Sequence, residues 1–271
     1  MITYDKGLPS LPDDILNEVF NLLDVEALKS CSLTGKALSY LAKPFIHRTL
    51  HLTPWSEGPT PGRRDEFEGL PTLGERGFLQ HIRRISILPQ GPFHARNLDP
   101  HIRHLRTLTN LKSLVAHSLD TPSFNPKMEE YFGAFLGTLQ SLDLIFPTGD
   151  MEQVLYFICQ FRNLRDLKFS SVPDRTGSMG NHVPHFDIKI SPPLDGTLDL
   201  LCYVRSYESH QKDSQLVLDS LVALPSGLKF RTLKLTMGAG ENLQPLFDVC
   251  AQTLEYVEFT GGRFGVSLLH G

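Results

Sequence analysis

The sequence has few cysteines, and none of them falls in a short paired motif. Cys31, Cys159, Cys202 and Cys250 are widely separated, and no C-x-x-C pair occurs. Scattered cysteines are typical of reduced, buried thiols rather than of a disulfide framework or a zinc ribbon. The N-terminus also lacks a basic region followed by an apolar one, so no secretory signal is visible. These absences favour a cytoplasmic or nuclear protein.

Long apolar runs and a strong charge of one sign are missing too. No apolar run reaches the ~18 residues that a membrane-spanning helix needs. The net charge of −4 over 271 residues gives no basic footprint for nucleic acid. With 41% hydrophobic and 21% charged residues, the composition is ordinary for a globular protein. We therefore expect neither a membrane nor a nucleic acid as a partner.

Motifs for catalysis and cofactor binding are absent. The chain has no G-x-x-x-x-G-K-[ST] phosphate loop and no G-x-S-x-G nucleophile elbow. Gly238 and Gly240 form a lone G-x-G, which we interpret as a turn. His101 and His104 lie three residues apart on a predicted helix, but no cysteine or clustered carboxylate accompanies them as a zinc ligand. The sequence predicts a protein that is not an enzyme and that has no metal site and no cofactor.

A short helical module at residues 8 to 50 is the first pattern that the sequence does contain. Large apolar residues cover most of its first helix: Ile15, Leu16, Val19, Phe20, Leu22 and Leu23. A stripe of that width exceeds what a core of about 43 residues buries. Pro9 and Pro12 also hold Leu8 and Leu11 in an extended lead-in. The apolar surplus predicts either a partner or packing against the rest of the chain.

The same module resembles an F-box. The runs LPSLPDDIL (8–16), VFNLL (19–23), LKSCSL (28–33) and LAKP (41–44) are similar to that family's pattern in spacing, prolines and the Cys-Ser-Leu triplet. The resemblance implies a three-helix fold that binds a Skp-type adaptor and, through it, a cullin scaffold. The residues that it implies for adaptor contact are Leu8, Pro9, Leu11, Pro12, Ile15, Leu16, Val19, Phe20, Leu28, Cys31, Ser32 and Leu33.

Most of the remaining chain repeats an L-x-x-L-x-L pattern. Seven apolar positions align at intervals of 24 to 35 residues: Ile85, Leu114, Leu142, Leu167, Leu198, Leu233 and Val257. The interval resembles the period of leucine-rich repeats, about 20 to 29 residues. Each L-x-L core alternates as a strand with one buried face does, and helical stretches such as 128–136, 151–159 and 243–250 stand between the strands.

These patterns predict an α/β fold, in which a three-helix F-box precedes a leucine-rich-repeat-like solenoid with a curved parallel sheet. The predicted domains are an F-box at 1–52, a linker or loop at 53–77, and about seven degenerate repeats at 78–271. Because the repeats lack the family's asparagine after the strand, an irregular α/β domain remains the alternative. The chain also stops soon after the last strand without a polar cap, so a truncated C-terminus remains open.

The combined resemblance is to F-box/leucine-rich-repeat proteins. It implies a non-catalytic, substrate-recognition subunit of an SCF-type cullin-RING ubiquitin ligase, whose repeats bind an unknown target protein. The alternative is an F-box scaffold outside a ligase, or a protein-interaction module.

The residue between the two leucines of each strand should face the open side of the sheet. Together with Tyr256 as an anchor, these residues are the candidates for target binding: Ser86, Val115, Asp143, Lys168, Asp199, Lys234, Tyr256 and Glu258. The alternative is that this face is only solvated and that a long insert, residues 173 to 196, holds the target.

Overall fold

The computed structural model describes residues 11–52, 77–89, 93–170, 191–201, 210–237 and 242–261. The α-helices in these ranges are α1 (Asp13–Leu22), α2 (Val25–Thr34), α3 (Lys36–Ile46), α4 (Ile102–Leu105), α5 (Thr121–Phe124), α6 (Met128–Phe132), α7 (Met151–Cys159), α8 (His210–Val222) and α9 (Gln244–Cys250). The strands are β1 (Thr49–Leu52), β2 (Arg84–Ile87), β3 (Ser113–His117), β4 (Ser141–Ile145), β5 (Asp166–Ser170), β6 (Thr197–Leu201), β7 (Thr232–Met237) and β8 (Tyr256–Gly261). No helix in the described ranges is long and apolar enough to cross a membrane.

The three predicted N-terminal helices are confirmed. Asp24 precedes α2, and its side chain accepts a hydrogen bond from the backbone N–H of Ala27 at 2.7 Å and so caps the first turn. Gly35 separates α2 from α3, and α3 packs against both of the other helices. Their joint core is small, because only Phe20, Leu28 and Ala42 are fully enclosed in it.

The eight strands form one sheet in which every pair of neighbours is parallel and the spatial order is the chain order. The predicted alignment of the apolar positions is confirmed. For example, Leu142 pairs with Leu167, and Leu198 pairs with Leu233. The α/β class is therefore confirmed, with a wholly parallel sheet among the described strands.

One face of this sheet packs on the helices. Strands β4, β5 and β6 alternate between half-buried and buried residues, as strands with one covered face do. The buried leucines share one core with helical residues such as Val154 and Phe157 of α7 and Leu246 of α9. The predicted helices at 151–159 and 243–250 match α7 and α9 closely, whereas α6 covers only the first part of the predicted 128–136 helix.

Most strands begin with the same pattern of backbone hydrogen bonds. The N–H groups of Gln140 and Ser141 donate to the Lys112 carbonyl at the start of β4, and those of Arg165 and Asp166 donate to the Gln140 carbonyl at the start of β5. The same arrangement recurs at the starts of β2, β3, β7 and β8. These repeated contacts tie each strand to the turn before its neighbour.

Strand β6 begins differently from its neighbours. The N–H of Thr197 donates to the Oδ1 atom of Asp166 at 2.7 Å, so a side-chain oxygen replaces the usual backbone carbonyl. Gly196 makes this possible, because a Cβ there would lie 2.2 Å from the same oxygen. The contact follows the long insert predicted at 173–196, of which residues 191–196 are described.

The first strand lies in residues that the sequence analysis assigned to the F-box. Leu50 of β1 pairs with Ile85 of β2, and Leu52 is fully buried in the sheet core. Only four residues form β1, directly after α3, so they lack the longer L-x-x-L-x-L signature that marks the other strands. Of the predicted 53–77 linker, residues 53–76 lie outside the described ranges.

Candidate interaction surfaces

The three N-terminal helices and the residues just before them carry solvent-exposed apolar side chains, which we call together the helical apolar surface. Its members are 40 to 87% exposed: Leu11, Ile15, Val19, Leu22, Val25, Leu33 and Tyr40. Ile15, Val19 and Leu22 recur at helical spacing along α1 and so share a face. Several exposed large apolar side chains on so small a helical unit are typical of a protein-binding surface.

The buried side of the same helices explains why this surplus exists. Phe20 meets Phe45 edge to face at a centroid distance of 5.6 Å, which joins α1 to α3. Cys31 and Leu41 are half-buried against this core. Because the core takes only one side of α1, the apolar residues Ile15, Val19 and Leu22 remain 41 to 87% exposed.

The residues predicted for adaptor contact occupy three kinds of environment. Exposed positions are held by Leu11, Pro12, Ile15, Val19 and Leu33, and half-buried positions by Leu16, Cys31 and Ser32. Phe20 and Leu28 differ from the expectation, because both side chains are buried in the helical core and present almost no surface. Leu8 and Pro9 lie outside the described residues.

Three members of the helical apolar surface were not among the predicted contacts. Leu22 is 87% exposed at the end of α1, Val25 begins α2, and Tyr40 lies on α3. Continuing the spacing from Ile15 and Val19 by one turn would have pointed to Leu22. Tyr40 lies outside the apolar motif, so no sequence signal singled it out.

The second candidate surface is the face of the sheet that lies opposite the core. The predicted target-binding positions of β2 to β8 are aligned side by side by the strand register, and we call them the central row: Ser86, Val115, Asp143, Lys168, Asp199, Lys234 and Glu258. His51 of β1 extends the row at one end, since it pairs with Ser86.

Charges alternate in sign along the last five positions of the central row. Lys168 Nζ lies 3.2 Å from an Asp199 carboxylate oxygen, and Lys234 Nζ lies 3.7 Å from a Glu258 carboxylate oxygen. Opposite charges on neighbouring strands stabilise a sheet modestly. These four side chains therefore neutralise one another, which leaves Asp143 as the acidic member without a close cation among the described residues.

Asp143 is half-buried, and its Oδ1 atom is inaccessible to solvent and has no hydrogen-bond partner. Burial raises the pKa of the Asp143 carboxyl above its ordinary value. The positive charge of Lys168 opposes that rise in pKa, the negative charge of Asp199 adds to it, and Arg84 opposes it. The carboxylate thus lies in a setting that disfavours its charge.

Two members of the central row are less accessible than expected. Ser86 and Val115 are only 7% and 5% exposed, although the register places them on the polar face. Both side chains are short and stand beside longer ones on that face, Arg84 on β2 and His117 on β3. At the opposite end of the sheet, Tyr256 is exposed, as its predicted role as an anchor requires.

The carboxyl edge of the sheet contains an exposed aromatic residue in a strained backbone conformation. Phe146 follows β4 directly, has φ of 51°, and is 51% exposed. Ser118 occupies the equivalent place after β3 and has φ of 49°. Left-handed backbone at a residue other than glycine costs about 1 kcal/mol or more. Nearby, His94 Nδ1 and Asp120 Oδ2 are 2.7 Å apart.

Two of the three cysteines that the structure describes are enclosed in the hydrophobic core. Cys159 and Cys250 are buried in the core, and burial raises the pKa of the Cys159 thiol to about 12 and that of Cys250 above its usual value. Such thiols remain protonated and are poor nucleophiles. Within the ranges that the structure describes, no three His, Cys, Asp or Glu side chains are grouped as ligands of a metal ion.

Comparison with known proteins returned no match, either to a protein-family model or to a curated protein sequence.

Proposed function

We propose that this chain is a substrate-recognition subunit of an SCF-type cullin-RING ubiquitin ligase. Its N-terminal helices bind a Skp-type adaptor, and its sheet domain binds the protein to be ubiquitinated. The observation that carries the proposal is the helical apolar surface, with seven large apolar side chains exposed on, or just before, helices that enclose only three residues fully. The resemblance of residues 8 to 50 to an F-box supplies the kind of partner.

The proposed adaptor contact centres on α1. Its exposed face presents Ile15, Val19 and Leu22 in a row, and Leu33 on α2 adds a side chain that is almost entirely exposed. Covering such residues in a complex removes apolar area from water, at about 25 cal/mol per Å². Phe20 and Leu28 support the contact indirectly, since they hold α1 and α2 in place from the inside.

We further propose that the sheet domain is a solenoid whose sheet is curved, with the central row on its inner side. Strands in chain order, all parallel and entered by recurring backbone bonds, support a stack of equivalent units. Strands lie about 4.8 Å apart, whereas helices are about 10 Å across. A layer of helices on one face therefore favours bending of the sheet toward the other face.

The proposed activity is positional rather than chemical. An adaptor-bound chain holds its target near the ubiquitin-charged enzyme and so raises the effective concentration of the target's lysines. The buried, protonated thiols of Cys159 and Cys250 are consistent with a subunit that forms no covalent intermediate at these residues. Assembly of this kind would take place in the cytoplasm or the nucleus.

Co-expression tests the proposal. The full chain should form a stable complex with a tagged Skp-type adaptor, and cullin and its RING subunit should co-purify when they are added. The chain expressed alone should be less soluble, because the helical apolar surface stays exposed, and the adaptor should restore solubility by mass action. A chain that binds no adaptor contradicts the proposal. An adaptor complex that excludes cullin supports the scaffold alternative.

A further inference from the structure

The edge of the sheet at which the strands begin carries a row of bases at one end. The residue just before each of the first three strands is basic: Arg48, Arg83 and Lys112. The backbone N–H of Arg83 donates to the Arg48 carbonyl, and that of Lys112 donates to the Arg83 carbonyl, both at 2.8 Å. These bonds hold the three residues side by side. Arg84, the first residue of β2, adds a fourth base, and we call the four residues the basic edge.

The basic edge is accessible, and its charges are not neutralised within the described residues. Arg83, Arg84 and Lys112 are exposed, and Arg48 is half-buried. None of the four takes part in an ion pair among the described residues. Arg83 Nη1 donates to the carbonyl of Asn110 at 3.2 Å, which positions this arginine without cancelling its charge. The positive charges of the basic edge are therefore available to a partner.

The part of the chain around the basic edge is strongly positive, although the whole chain is not. Residues 35–52 and 77–117 contain nine lysines and arginines and a single acidic residue, Asp99. The net charge of the whole chain is −4, so its acidic surplus lies elsewhere. Burial lowers the pKa of His47, beside Arg48, and the positive charges of neighbouring bases lower it further. A surface of this kind attracts anionic groups.

The other end of the same edge limits the length of an anionic partner. Before β4 stands the uncharged Gln140, and before β5 stands Arg165, which pairs with Asp195 at 2.7 Å. Arg231 before β7 lies 3.7 Å from Glu255, the residue before β8. A long polyanion that followed the edge would meet these acids. The basic edge itself spans three strands, or about 10 Å, which matches about four residues of an extended peptide.

We propose that the basic edge binds a short acidic segment of the target protein, an extended run that contains two or three aspartates or glutamates. Arginine suits this role, because its planar guanidinium group can donate two parallel hydrogen bonds to one carboxylate. The inference deepens the proposed function, on which it rests only for the role of the bound protein as a ligase target.

A peptide selection on the full chain at physiological salt tests the proposal. The probe is a displayed library of random 12-residue peptides, selected in parallel on the wild-type chain and on the double variant Arg83→Glu/Lys112→Glu. The wild-type chain should enrich peptides with clustered aspartate and glutamate, and the double variant should not. For a synthetic peptide from the enriched set, the double variant should raise Kd about tenfold or more. The milder Arg83→Gln/Lys112→Gln variant should raise Kd by a smaller factor, because it removes charge without reversing it.

A matched control separates a local contact from general charge attraction. Lys229→Glu/Arg231→Glu also reverses one exposed lysine and one exposed arginine, but just before β7. Four strands separate β3 from β7, or about 19 Å, which exceeds the screening length of about 8 Å at physiological salt. The control should therefore bind the selected peptide within about twofold of wild type. All of the substituted side chains are exposed, so circular dichroism should show each variant folded as wild type is.

Three results would overturn the proposal. The first is a wild-type selection that enriches no acidic position. The second is a selected peptide whose affinity is unchanged in both variants of Arg83 and Lys112, or falls equally in the control. The third is a 12-nucleotide single-stranded DNA that binds the wild-type chain more tightly than the peptide does, because the surface would then belong to a nucleic acid. The selection needs no adaptor, so its failure and a failure of adaptor binding are separate results.

Discussion

Replacing Asp143 by asparagine should make the free chain more stable at neutral pH. The Oδ1 atom of Asp143 is buried without a hydrogen-bond partner, and such an atom costs about 1 to 3 kcal/mol. Asparagine leaves an unpaired polar atom in the same place but removes the charge, and an unpaired buried group costs more when it is charged, so we expect a gain of about 1 kcal/mol in the free energy of unfolding. For a domain of this size that corresponds to an increase of about 2 °C in Tm.

The pH dependence of this gain follows from the direction of the pKa shift. Burial raises the pKa of Asp143 in the folded chain, so the folded state holds this proton more tightly than the unfolded state. This tighter proton binding stabilises the folded state at pH values below the pKa that Asp143 has in the unfolded chain. The stabilisation is lost as pH rises through the pKa of Asp143 in the folded chain. The stability advantage of the variant over wild type should therefore be smallest near pH 4 and largest near pH 8. This window starts close to the ordinary aspartate pKa of about 3.9.

Urea unfolding of both proteins across that pH range, followed by circular dichroism, measures the difference directly. Acids that are remote from Asp143 contribute equally to both proteins and cancel. A variant that is less stable than wild type at neutral pH would refute the reasoning, as would a stability difference that does not change with pH.

Two further pairs of variants test the packing of the sheet domain and the helices. Gly149→Ala should destabilise the chain by about 1 to 3 kcal/mol, because φ is 110° and a Cβ would lie 2.6 Å from Thr121 Oγ1. Gly137→Ala has open space around its Cβ and should change stability little, and thermal denaturation of both variants checks this. Leu142→Ala should cost about 2 to 5 kcal/mol in urea unfolding because the side chain is fully buried, and Leu33→Ala, which is 87% exposed, should cost less than about 0.5 kcal/mol. Equal effects within either pair would contradict the packing described here.

The strand register could be predicted from the sequence because it depends on a local and strict pattern. In each strand the side chains alternate between two faces, so Leu142, Leu167 and Leu198 must lie on one side when their strands align. The same alternation placed Asp143 and Lys168 next to each other on the opposite face. Strand β1 was not predicted, because four residues after a helix are too few to show a repeating pattern.

Accessibility was less predictable than orientation, because it depends on neighbours that are distant in the sequence. Ser86 and Val115, which pair across β2 and β3, face the polar side yet are only 7% and 5% exposed. Phe20 and Leu28 belong to a motif that suggested partner contact, but the crossing of α1 with α3 encloses Phe20 against Phe45. Asp143 likewise has no ion-pair partner because Lys168 pairs with Asp199 instead, and residue spacing does not determine which acid Lys168 pairs with.

The central claim is tested most directly by calorimetric titration of a Skp-type adaptor with the purified wild-type chain and with two matched variants. Val19 on α1 and Val249 on α9 are the same residue type, both on helices, and are 41% and 38% exposed. Val19→Asp should weaken adaptor binding about 100-fold, because it places a charge in the centre of the apolar contact, and Val249→Asp should bind as wild type does. Unchanged binding by Val19→Asp, or an equal loss in both variants, would contradict the assignment of the helical apolar surface as the adaptor site.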